Sequence, residues 1–84
     1  MRSDYITFRS VTVAPRAERL LRSGGIDCVL QRTPRWMEER GCGYCLRIRP
    51  TEVAESLRRL KEGSVPFSKV YTRHPNGAME EVSQ

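Results

Sequence analysis

Two short amphipathic stretches, each bracketed by β-forming runs, constrain this chain more than any other feature. Ala14, Ala17, Leu20 and Leu21 recur at helical spacing while Arg16, Arg19 and Arg22 fall on the other side of the wheel. Val53, Ala54, Leu57 and Leu60 repeat the pattern in the second half. Thr12 or Ser10 can cap the first helix, Pro15 is tolerated in its first turn, and Ser23-Gly24-Gly25 ends it. Thr51, after Pro50, can cap the second, and Gly63 stops it. Glu18 with Arg22 and Glu55 with Arg59 form i,i+4 pairs that add ~0.2 to 0.5 kcal/mol each. Each apolar stripe still needs a sheet face to cover it.

The strands are legible beside the helices. Residues 4–8 carry β-formers in a row, residues 26–31 leave directly from the Gly-Gly turn, and residues 66–71 form a last run. Residues 44–49 alternate Tyr44, Leu46 and Ile48 against Cys45, Arg47 and Arg49, the period of a strand with one core face and one solvent face. The order β-α-β-β-α-β predicts an α+β fold: a ferredoxin-like split βαβ sandwich, with two helices on one face of a four-stranded antiparallel sheet. Residues 1–75 make one domain on this reading, and residues 76–84 a disordered tail. Cys45, Arg47 and Arg49 are expected on the open sheet face, which a second copy in a homodimer would cover.

Eighty-four residues leave room for one domain. No apolar run approaches the ~18 residues of a membrane span, and Met1-Arg2-Ser3-Asp4 is not followed by a signal-peptide core. The reading is cytoplasmic, with no membrane partner. The net charge is +5, and since Lys61 and Lys69 are the only lysines, the basic residues are nearly all arginine. That permits an anionic partner without naming one. RNA binding on the open sheet lacks its signature, because the aromatic motif of RNA-recognition domains is absent. Cys28, Cys42 and Cys45 are too few for a disulfide scaffold and fit reduced thiols.

Residues 32–43 interrupt the pattern and read as a long loop, of the kind that commonly carries function. Gly41-Cys42-Gly43 is its sharpest feature: two residues without side-chain bulk leave a sulfur sterically open. Arg35, Arg40 and Arg47 lie close in sequence, and nearby cations favour the thiolate. Against this stands the plainer reading that the glycines only turn the chain and Cys42 is a bystander. Trp36 can anchor the loop or meet a partner. Cys42-Gly43-Tyr44-Cys45 is a C-x-x-C, but it runs into a strand rather than opening a helix, so the dipole that acidifies redox dithiols is missing. Zinc would need two more ligands, and Cys28 and His74 lack paired spacing. We therefore assign no metal and no cofactor, and read Cys28 as a small buried strand residue.

Several pieces, in order, resemble a known family. Tyr5-Ile6-Thr7-Phe8 followed by Ser10, Ala17-Glu18-Arg19-Leu20-Leu21, Gly25-Ile26, Thr33-Pro34-Arg35 and Cys42-Gly43 before an apolar strand are similar to short bacterial selenium/sulfur carrier protein-like proteins. The resemblance covers about residues 4–73. It implies a carrier rather than an autonomous enzyme, holding sulfur or selenium as a cysteine-bound persulfide or perselenide. Donor and acceptor proteins, such as a cysteine desulfurase as donor, are the implied partners. Cys42 is the carried-over residue, with Gly41 and Gly43 shaping its loop; Cys45 is not carried over from the family, and placed beside Cys42 it is a candidate resolving thiol. The alternative is a ferredoxin-like regulatory or protein-interaction module with incidental thiols, since that architecture hosts many functions.

Overall fold

The computed structural model describes residues 3–33 and 43–82. Among the described residues the fold is mixed α+β, with five antiparallel strands and two α-helices. β1 is Ser3–Thr7, α1 Val13–Ser23, β2 Cys28–Arg32, β3 Tyr44–Ile48, α2 Val53–Glu62, β4 Val70–Arg73 and β5 Met79–Glu81. The strand order is β2-β3-β1-β4-β5. β3 runs antiparallel to both β1 and β2, so those two are parallel to each other across it.

Alternation along the strands builds the core. Ile6, Leu46, Ile48 and Val70 sit on one face and are 0 to 2% exposed, packed with Phe8 and with Ala14, Ala17 and Leu21 of α1 and Leu60 of α2. Both helices therefore cover the same face. Burying side chains of this size stabilises by roughly 1.5 to 3 kcal/mol each.

The helix ends follow backbone geometry more than side-chain caps. Thr12 makes no capping hydrogen bond; the Ser10 hydroxyl instead accepts from the Thr12 amide, and the Ser10 carbonyl accepts from Val13 and Ala14. At the C-terminus of α1, Gly25 donates to the Arg22 carbonyl and Ile26 to Leu21, the two bonds of a Schellman motif, with Gly25 at φ +84°. α2 ends the same way, but the left-handed position is Ser64, at φ 56°. Gly63, read as the stop, serves another purpose: a Cβ there would lie 2.8 Å from Leu20 Cδ2, so the missing side chain lets the two helices approach.

Three expectations are corrected. The sheet has five strands rather than four, because Met79–Glu81, within the expected tail, pairs with β4. The Asn76-Gly77 turn makes this possible: Gly77 has φ +89°, the Asn76 side chain accepts from the Ala78 amide, and His74 donates to the Ala78 carbonyl. The buried stripe of α2 includes Ser56, whose hydroxyl donates to the Glu52 carbonyl at 2.7 Å, while Ala54 is exposed. A 3₁₀ turn at Pro50–Glu52 displaces the helix start from Thr51, and with it the face presented. Finally, Cys45 is not on a solvated surface. It lies on the face away from the helices, as alternation requires, yet is fully buried with Tyr5 and Tyr71.

Candidate functional site

β2 and β3 form the scaffold from which the candidate loop departs. Five residue pairs, from Cys28–Ile48 to Arg32–Tyr44, hold them in register, and beyond the last pair the Thr33 amide donates to the Gly43 carbonyl at 2.8 Å. Gly43 is buried and has φ +85°, a conformation that costs other residues about 1 to 2 kcal/mol. The Arg32 guanidinium stands 5.6 Å from the centre of the Tyr44 ring, a cation–π contact that braces the same end of the ladder.

Of the residues singled out from sequence, Gly43, Cys45 and Arg47 belong to the described structure. Gly41, Cys42, Arg35 and Arg40 lie outside the described residues, as do Pro34 and Trp36. Cys45 is paired with Thr7 on one side and Gln31 on the other. Arg47 follows on the same face, is exposed, and sits opposite Tyr5 and Val29. That places it about 10 Å along the strand from Tyr44, at ~3.3 Å per residue. Arg49 pairs with Asp27 at 3.0 Å.

Cys45 has aromatic surroundings that its own strand does not announce. Tyr5 and Tyr71 are directly opposed across β1 and β4, and both are more than nine-tenths buried. The signal was present: each alternates with a core residue, Ile6 or Val70, and so must occupy the opposite face.

Cys28 behaves as a core residue. It is 2% exposed, its Sγ lies 3.9 Å from the Glu18 carbonyl, and burial pushes its thiol up from the ordinary value of 9.0, against the opposing pull of Arg22. A raised pKa keeps it protonated and a poor nucleophile at neutral pH. Among the described residues no group of three His, Cys, Asp or Glu side chains is gathered to hold a metal, and no helix is long and apolar enough to cross a membrane.

The family model described as "Putative Se/S carrier protein-like" matches residues 4–72, most of the chain. No curated protein and no solved structure matches significantly.

Proposed function

The chain belongs to that carrier protein-like family, and from this premise we propose that it carries sulfur or selenium between partner enzymes as a cysteine-bound persulfide or perselenide. The observation that carries the reading is the family match itself, whose span takes in Cys42, Cys45 and the arginines around them. The strand order, with β3 between β1 and β2 and β1 between β3 and β4, supports a ferredoxin-like carrier domain with β5 added at its edge. Working thiols of this kind suit the reducing cytoplasm.

Cys42 is the carrier. Its thiolate attacks the outer sulfur of a donor persulfide; a new S–S bond forms, the donor's S–S bond breaks, and the donor cysteine leaves as a thiolate. The transferred atom keeps its oxidation state, so no outside oxidant is consumed. In delivery an acceptor nucleophile takes the outer atom, and Cys42 leaves as the thiolate. Arg35, Arg40 and Arg47 favour these anionic forms and steer an acidic partner, with Gly41 and Gly43 giving access.

Cys45 acts second. Attack by its thiolate on the Cys42 sulfur of the persulfide would release hydrosulfide and leave a Cys42–Cys45 disulfide, which a cellular dithiol then reduces. A disulfide needs its Cα atoms within about 7 Å, closer than an extended i,i+3 pair lies. The left-handed Gly43 between them supplies a bend that an extended strand lacks.

Incubation with a cysteine desulfurase and cysteine, followed by intact mass measurement, tests the assignment. Wild type should gain one sulfur atom, or a Cys42–Cys45 disulfide once that atom has been released, and Cys42→Ala neither. Equal loading of both would remove Cys42 from the role, loss only in Cys45→Ala would shift it to Cys45, and no loading of wild type would favour the interaction-module reading.

A further inference from the structure

At the end of the sheet opposite Gly43, three consecutive residues of the chain each face an arginine from another position. Arg49 Nη2 bonds Asp27 Oδ2 at 3.0 Å, Arg22 Nη2 donates to the Cys28 carbonyl at 2.7 Å, and Arg47 is the cross-strand partner of Val29. All three arginines, together with Ser3, line one open cavity of about 450 Å³. The cavity lies in the size range of small-molecule sites. We propose that this cavity binds a small molecule carrying a phosphate group.

The arrangement is suited to a doubly charged oxyanion for three reasons. First, Arg22 is held from two sides, by the Cys28 carbonyl and by Glu18 at 3.5 Å, so its guanidinium is positioned before any ligand arrives. Second, the Arg49–Asp27 pair is 67% and 76% exposed, and so exposed a pair gives up its geometry readily to a ligand oxygen. Third, Arg47 makes no ion pair among the described residues and offers its full charge and planar fork of donors. Val29, 43% exposed, supplies an apolar wall beside the charged groups, which suits an organic phosphate. The cavity lies toward the other end of the β2–β3 ladder from Gly43 and includes none of residues 34–42; Arg47 alone is shared with the residues assigned to the carrier thiol.

A titration of the full chain with inorganic phosphate, followed by amide chemical shifts at constant ionic strength set by chloride, tests this. The expected result is saturable shifts centred on Asp27, Cys28, Val29, Ile48 and Arg49. The dissociation constant should rise at least tenfold in Arg47→Gln, while Arg16→Gln, on the exposed side of α1, leaves it unchanged. Arg47→Gln alters an exposed side chain, and its own amide spectrum reports whether the fold is kept. A non-saturating drift shared by all arginine-rich surfaces, or equal affinity in a folded Arg47→Gln/Arg49→Gln variant, would overturn the proposal.

Discussion

The amide of Thr33 donates to the carbonyl oxygen of Gly43 at 2.8 Å, tying together the two chain ends between which residues 34–42 run. The segment that contains Cys42 thus starts and ends on a fixed base, one closed by a ladder hydrogen bond and a left-handed glycine. Gly43→Ala should cost about 1 to 2 kcal/mol of stability, because alanine tolerates φ +85° poorly. Urea denaturation measures this, and a loss below a few tenths of a kcal/mol would show that the bend is not required.

The two Schellman ends make a paired prediction. Ser64→Gly should stabilise by about 1 kcal/mol, since serine pays for a left-handed φ of 56° that glycine adopts freely. Gly25→Ala should destabilise by a similar amount. Thermal or chemical denaturation of the two variants should move in opposite directions.

Gly63→Ala has a different physical basis. The new methyl would meet Leu20 Cδ2 at 2.8 Å and the Arg59 carbonyl at 3.3 Å, so α1 and α2 must part or Leu20 must change rotamer. Overpacking of this kind costs about 1 to 3 kcal/mol. Shortening the obstructing side chain, in Leu20→Ala with Gly63→Ala, should recover part of that loss in a double-mutant cycle.

Cys28 predicts a pH dependence. Its folded-state pKa is raised by burial, so the unfolded chain releases the thiol proton first as pH rises. Folding stability is therefore full below the ordinary thiol value of 9.0 and falls as pH climbs from there toward the raised folded value. In Cys28→Ala, which loses packing at every pH, the alkaline decline should be shallower than in wild type when melting temperatures are compared from pH 7 to 10.

Much of this fold could be read from periodicity. The α1 stripe and strands β1 to β3 are legible to within about two residues because their apolar residues recur at 3.6 or 2.0. β5 was not found, since Met79-Glu80-Glu81 shows no apolar alternation and only Asn76-Gly77 announces the hairpin. β4 begins at Val70, not Pro66, as residues 66–69 approach β1 through only two backbone bonds, Ser68 to Thr7 and Thr7 to Lys69. For the candidate site, alternation assigned Cys45 to its correct face but could not foresee its burial. Which face a strand residue takes is local; its cover comes from Tyr5 and Tyr71, distant in sequence.

Competitive alkylation of the native protein at neutral pH, read by mass spectrometry cysteine by cysteine, decides whether Cys42 is the carrier thiol. The carrier account predicts that Cys42 is modified first, with an apparent pKa below the ordinary thiol value, while buried Cys28 and Cys45 react only on unfolding. A native Cys42 that alkylates no faster than Cys28 would contradict it.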